Sequence, residues 1–216
     1  MRMTPPSLLA VLALCPLIIP SRADAPASDH ARQDPCLAMK VSESLMSMLP
    51  PTETYEKGMA YPLPFRDKAT KWAKIFEVPS SWLIPLGYVE SKYQPMATNK
   101  SGATGATQIK LARARDLVTW MSRSKWKANQ EVQAILAMFW HGLRDDLLNL
   151  DLNVMLAAFE LHHLRRRFGN DSEIVHAAYN QGEGRIARCL ERGLPLPDRA
   201  VEFIVRVKRA TQRGYT

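Results

Sequence analysis

Apolar residues recur at spacings of three and four through most of the chain after residue 65, and that period predicts helices. Residues 66–76 place Ala69, Trp72, Ala73 and Phe76 on one face. Residues 80–93 are apolar nearly throughout. Pro79 opens that stretch, Ser80 or Ser81 is the expected N-cap, and Pro85 inside it predicts a kink. Further helices are expected over 108–121, 129–148, 153–168, 171–180, 185–191 and 197–212. The 129–148 stretch is read as one long apolar helix carrying Ile135, Leu136, Phe139, Trp140 and Leu143, and the 153–168 stretch as strongly amphipathic. Gly169-Asn170 ends the latter, and Gln181 to Gly184 is a turn. Upstream, Leu37, Val41, Leu45 and Met48 form one stripe of a short helix over 35–49, which Pro50-Pro51 terminates, and proline-rich residues 52–64 connect it to the rest. Residues 94–107 are small and polar and read as a structured loop. No alternating strand pattern of useful length occurs, and no internal repeat. The expected fold class is all-α.

The N-terminus adds a compartment. Arg2 precedes an apolar run from Leu8 to Ile19 that is too short to span a bilayer, and Ser21-Arg22-Ala23 has small residues where a signal peptidase cuts. Residues 1–23 are therefore read as a secretory signal, 24–65 as an N-terminal extension and 66–216 as the compact domain. Lipidation of Cys15 and a retained anchor are alternatives, and the bulk of Leu14 argues against the first. Export implies a periplasmic or extracellular setting. There, Cys36 and Cys189 are expected to pair as one disulfide, the alternative being two free buried thiols.

Of the 216 residues, 46% are hydrophobic, enough for a substantial core, and the formal charge is +8. Losing Arg2 and Arg22 with the signal leaves about +6. Such a charge favours anionic polymers in general. No nucleic-acid motif accompanies it, and the arginines are scattered apart from Arg165 to Arg167, so no nucleic-acid partner is expected. The final helix is basic on its outer face (Arg199, Arg206, Lys208, Arg209, Arg213), which suits either a partner surface or plain solvation. Neither a metal nor a cofactor is expected: the adjacent His162-His163 pair cannot point both rings the same way on a helix.

One residue brings chemistry. Leu83, Leu86 and Gly87 precede Glu90 by seven, four and three residues, so they share its helical face. A carboxyl on an apolar face loses water, desolvation disfavours its charged form, and a carboxyl protonated near neutral pH is a general acid. Alone, such a Glu reads more readily as a solvated or salt-bridged helix end.

Three segments change that balance. Glu90-Ser91 is followed by Gly102-Ala103-Thr104-Gly105-Ala106-Thr107-Gln108. Next comes residues 153–169, ending in Phe168-Gly169. Last comes Ala177-Ala178-Tyr179-Asn180-Gln181-Gly182. In this order and spacing they resemble the catalytic domain of soluble lytic transglycosylases, relatives of goose-type lysozyme, over roughly residues 66–188. The resemblance implies a lysozyme-like helical domain with the catalytic Glu at the end of a buried helix and peptidoglycan as substrate. It implies a single acid, Glu90, that first protonates the oxygen between N-acetylmuramic acid and N-acetylglucosamine and then takes the proton of the muramyl C6 hydroxyl. The product is a 1,6-anhydromuramyl end. It further implies that Gly102 and Gly105 bring the loop close to the sugar, and that Gln108 binds sugar or orients the loop. Tyr179 is placed near Glu90 or the substrate N-acetyl group, and Asn180 fixes the nearby backbone. Ser91 supports the loop.

The chain departs from the family pattern at Asn99, where serine is usual, at Ala106-Thr107, where Leu-Met is usual, and at Leu111, where proline is usual. Thr107 would alter the cleft wall, and Asn99 would supply an amide to the glycan. A true lysozyme, in which water attacks, and a non-catalytic glycan-binding or assembly protein are the alternative readings. Small exported members of the family imply a partner in secretion or conjugation machinery.

Overall fold

The computed structural model describes residues 63–139 and 141–215, and the expected signal, the 35–49 helix and Cys36 lie outside them. Eight α-helices form among the described residues: α1 (Leu63–Ile75), α2 (Ser80–Ser91), α3 (Leu111–Met121), α4 (Gln130–Leu136), α5 (Leu150–Phe168), α6 (Ser172–Gln181), α7 (Glu183–Glu191) and α8 (Asp198–Gln212). The only sheet among them is a two-stranded antiparallel one, β1 (Ala103–Thr104) with β2 (Ile109–Lys110), pairing Ala103 with Lys110 and Thr104 with Ile109. The fold is all-α. No described helix is long and apolar enough to cross a membrane.

Helix α5 is the axis. Every residue from Leu152 to Leu161 is buried, so its first half is enclosed on all sides. Only its second half shows the expected amphipathicity. Asn149 starts it, its side-chain oxygen accepting the Leu152 amide at 3.1 Å. Helix α1 packs on α5: Trp72 Nε1 donates to Asp151 at 2.5 Å, and just past the end of α1 the Phe76 ring meets Phe159 edge-on at 5.4 Å. Helices α6 and α8 pack on one another, and α8 also packs on α2.

Several expectations need correction. Helix α1 begins at Leu63 and takes Pro64 into its first turn, where the missing proline N–H has no intrahelical partner to lose. Helix α2 has Pro79 as its N-cap, and no serine side chain caps it. Pro85 lies inside α2, which runs to Ser91. The single helix expected over 129–148 breaks into α4 and short 3-10 turns at Ala137–Phe139 and Arg144–Leu148. Gly142 turns left-handed (φ +57°), Asp146 captures the Leu143 amide at 2.9 Å, and Met138 and Leu143 face solvent rather than a core. Residue 108 is not helical: Gln108 has φ +54°, and α3 starts three residues later.

The loop between α2 and α3 is fastened to α5 by one buried side chain. Asn153 accepts the Thr107 amide at 2.8 Å and donates to the Thr104 carbonyl at 3.0 Å, and it also accepts the Thr107 hydroxyl at 2.8 Å. Gly105 lies against it: a Cβ there would come within 2.3 Å of the Asn153 amide nitrogen and 2.6 Å of the Leu147 carbonyl, and φ is +83°. Gly105 therefore allows the loop to close onto Asn153 and the Leu147 carbonyl. Asn153→Ala strands the Thr107 amide and the Thr104 carbonyl, each costing about 1–3 kcal/mol when buried. The expected loss is at least about 2 kcal/mol, read by urea denaturation. A change under about 0.5 kcal/mol would show that the clamp contributes little.

Candidate active site

The last turn of α2 brings Glu90 to the floor of a cavity of about 430 Å³. Its walls come from four places. Asn99, Ser101, Ala103, Gln108, Ile109 and Lys110 belong to the loop and hairpin, Arg113 to α3, Glu160 to α5, and Tyr179 to Glu183 to the α6–α7 corner.

Glu90 arrives there because α2 can pack tightly and then stop sharply. A Cβ on Gly87 would overlap the Phe65 ring at 2.2 Å, so glycine is what lets α1 and α2 approach. Past Ser91, Lys92 and Tyr93 both adopt left-handed backbone (φ +55° and +65°), and the Lys92 amide bonds the Tyr88 carbonyl at 2.8 Å. The Val89 carbonyl, at the negative end of the helix, accepts from Arg206 Nη2 at 2.6 Å.

The loop is shaped by polar side chains bonded largely to backbone. Ser91 Oγ donates to the Ala106 carbonyl at 2.7 Å and accepts the Gln94 amide at 3.0 Å. Gln108 Nε2 donates to the carbonyls of Ala97 (3.2 Å) and Gly105 (2.9 Å). Asn99 Oδ1 gathers the Ser101 amide, the Ser101 hydroxyl and the Ala103 amide within 3.1 Å, which shapes the rim as a side-chain-capped turn. Tyr179 OH donates to the Thr107 carbonyl at 2.9 Å and so ties α6 to the same loop.

The structure thus separates the expected site residues. Glu90, Asn99, Gln108, Tyr179 and Asn180 line the cavity; Ser91, Gly102, Gly105 and Thr107 do not. Thr107 has no accessible surface, and its polar groups are turned to Asn153 and Tyr179, so it acts from behind the wall. Gly102 supplies a left-handed turn (φ +81°) in open space. Cys189 is a partly exposed residue of α7.

Three carboxyls share the cavity, and their surroundings differ. Burial pushes Glu90 up to about 8; Arg206 draws it back and Glu160 raises it further. No hydrogen bond or ion pair holds its carboxyl among the described residues. Glu160 is nearly inaccessible, and burial raises it too, but Arg113 Nε meets it at 2.8 Å. Glu183 is pulled down to about 2, first by His163, whose Nε2 lies 3.1 Å away, and also by Arg167, at 2.6 Å. Arg113 spans Glu160 and Glu183 and lies over the Trp120 ring, which stacks on His163 at 4.5 Å. Tyr179 is raised well above the ordinary phenol value, mainly by burial and then by Glu160 and Glu90, so it stays a neutral donor.

Sequence reasoning overlooked Asn153, Glu160 and Arg113, and read Arg206 only as part of a basic outer face. One signal was present for two of them. Asn153 and Glu160 are the only polar residues between Leu152 and Leu161, and seven residues apart they share a helical face.

The charge network has a pH signature. Because Glu183 binds its proton more weakly folded than unfolded, its contribution is present above pH 4.5, the ordinary value, and is lost as pH falls toward 2. Glu183→Gln is expected to be less stable than wild type near neutrality, with the gap closing on acidification, as read by urea denaturation at several pH values. A gap that stays constant down to about pH 2 would contradict the assignment.

A sequence model of the family described as Transglycosylase SLT domain matches residues 67–193. The chain is 25% identical over 155 residues to the soluble lytic murein transglycosylase of Escherichia coli K12, and 24% identical over 155 residues to that of Salmonella typhimurium LT2. Each match covers 72% of this chain but only 22% of the relative, so the chain spans about a fifth of their length. Among solved structures it resembles the Pseudomonas aeruginosa lytic transglycosylase Slt (TM-score 0.56, 21% identity, 71% of this chain and 24% of that one). It also resembles the 70 kDa soluble lytic transglycosylase of Escherichia coli (TM-score 0.57, 22% identity, 72% and 24%). Matched over more than half its length, with Glu90 and the Tyr179-Asn180 corner inside the matched span, the chain belongs to the transglycosylase SLT domain family.

Proposed function

We propose that this protein is a peptidoglycan lytic transglycosylase in which Glu90 carries both proton transfers. The observation that carries the reading is the isolation of that carboxyl. Of the three acids in the cavity, only Glu90 has no ion pair, and its value of about 8 keeps it largely protonated at neutral pH. Glycosidic cleavage begins with such an acid. Glu90 gives its proton to the oxygen linking N-acetylmuramic acid to N-acetylglucosamine, and the C1–O bond breaks. The substrate's N-acetyl group steadies the cation at C1. The Glu90 carboxylate then removes the proton from the muramyl C6 hydroxyl as that oxygen bonds to C1. No water is consumed, Glu90 ends as it began, and the product is a 1,6-anhydromuramyl end. Tyr179, neutral and anchored to the loop, and Asn99, Gln108 and Asn180 line the same cavity, which supports their contacting the sugar.

A second reading has its own support. Glu160 lines the same cavity, and a second carboxylate could hold an attacking water, as a goose-type lysozyme-like hydrolase requires. The ion pair to Arg113 weighs against it, since Glu160 is already engaged.

The setting is part of the proposal. The signal-like N-terminus (Arg2, the Leu8 to Ile19 run, Ala23) supports export to the periplasm, where the wall lies. Local wall opening for a secretion or conjugation machine rests on the family resemblance alone.

Digestion of purified peptidoglycan followed by mass analysis of the released muropeptides tests the reading. Anhydro ends are expected, and Glu90→Gln is expected to cut release by at least about 100-fold while the far-UV spectrum stays that of wild type. Reducing ends would establish the hydrolase, and a fully active Glu90→Gln would remove Glu90 from the chemistry.

A further inference from the structure

The Val89 carbonyl belongs to the peptide bond that leads into Glu90, and the end of α2 leaves it without an intrahelical partner. In a continuing helix the amide of residue 93 would bond it. Here Tyr93 turns left-handed (φ +65°) and its amide goes back to the Gly87 carbonyl at 3.2 Å. The Lys92 amide goes to the Tyr88 carbonyl. Arg206 reaches the Val89 carbonyl from α8 instead, donating through Nη2 at 2.6 Å. A neutral donor would satisfy a carbonyl as well, but Arg206 also brings a charge. It makes no ion pair among the described residues, although Glu202 stands one turn earlier on the same helix. The other cations near the acid are differently placed. Arg113 is committed to Glu160 and Glu183, and Lys110 is exposed on the hairpin. Arg206 does not line the cavity over Glu90, so its charge acts on the acid from behind the helix end and not through the space a sugar would fill.

We infer that Arg206 is a positioning residue for the reaction, one that steadies the negative charge Glu90 carries between its two proton transfers. The inference rests on the transglycosylase reading. When Glu90 gives its proton to the glycosidic oxygen, the C1–O bond breaks and a carboxylate is left in a buried place. That carboxylate lasts until it takes the proton of the muramyl C6 hydroxyl, as the C6 oxygen bonds to C1. A fixed cation is most effective where charge develops, so the help of Arg206 falls on the first transfer. The carboxylate needs such help. Burial opposes it, Glu160 from α5 adds to that opposition, and Arg206 from α8 is the cation that counters both. Tyr179 of α6, Glu183 of α7, Arg113 of α3 and Lys110 of β2 complete the charged and titratable groups around the cavity. By holding the Val89 peptide, Arg206 also fixes the point from which the Glu90 side chain starts.

Arg206→Gln and Arg206→Lys in the whole chain separate the charge from the bond, since glutamine keeps a neutral donor and lysine keeps the cation. Cleavage of soluble glycan strands is measured across pH. Arg206→Gln is expected to lower kcat by about tenfold with KM within about twofold of wild type. A cation lowers the Glu90 value, so its loss raises that value and moves the alkaline limb of kcat/KM to higher pH. Arg206→Lys is expected to restore most of the rate and the wild-type limb. Carbon-13 NMR of labelled glutamate carboxyls is expected to place the Glu90 midpoint of Arg206→Gln above that of wild type, and that of Arg206→Lys close to it. An unchanged midpoint in Arg206→Gln, an equal loss of kcat in both variants, or a loss confined to KM would overturn the inference. So would an Arg206→Gln chain that fails to fold while Arg206→Lys folds, since Arg206 would then be a structural cap. The NMR arm needs no turnover. A midpoint that rises in Arg206→Gln and holds in Arg206→Lys, in a protein that releases no anhydro ends, would refute the transglycosylase reading while upholding the hold of Arg206 on the Glu90 charge.

Discussion

A carboxyl stays protonated near neutrality only where water is kept from it and no cation is set directly upon it. At Glu90 burial supplies the largest part of that effect. The loop that lines one side of its cavity is fastened by Asn153 from α5, Tyr179 from α6 and Ser91 from α2. Small residues are required for this: Gly105 meets Asn153 and Leu147 where any Cβ would collide.

The same cavity shows how one fold keeps three acids in different states. Glu183 is ionised because His163 and Arg167 hold it. Glu160 is buried beside Arg113, and the pair must be desolvated together, which limits its net contribution to stability. Its effect on the site is electrostatic, since it raises both Glu90 and Tyr179. Arg206 works in the opposite direction from the far side of α2, while satisfying the Val89 carbonyl. Glu90 is therefore poised by a near cation and a near anion superimposed on a dominant burial effect.

Much of this was legible in the amino-acid order, and the rest was hidden for physical reasons. Helical periodicity located the helices that carry the site, because an apolar stripe at that spacing has one burial solution. Leu83, Leu86 and Gly87 raised a desolvated reading of Glu90, and the segments around Gln108 and Tyr179 were needed to favour it. The 129–148 stretch misled, because its apolar residues fit a helix while Gly142 and Asp146 locally favoured turns. Thr107 looked like part of the cleft wall because it stands where the family has a larger residue, yet it points inward to Asn153. The partners of Glu160, Glu183 and Glu90 lie 47, 20 and 116 residues away in the chain (Arg113, His163 and Arg206), and no local pattern links charges so far apart.

The central claim is that the fold, before any substrate arrives, holds the Glu90 carboxyl protonated. Carbon-13 NMR of protein labelled at the glutamate side-chain carboxyls, with the Glu90 resonance identified by its loss in Glu90→Gln, measures that state directly. The account predicts a titration midpoint near 8 for Glu90. A midpoint near 4.5, the ordinary glutamate value, would contradict it.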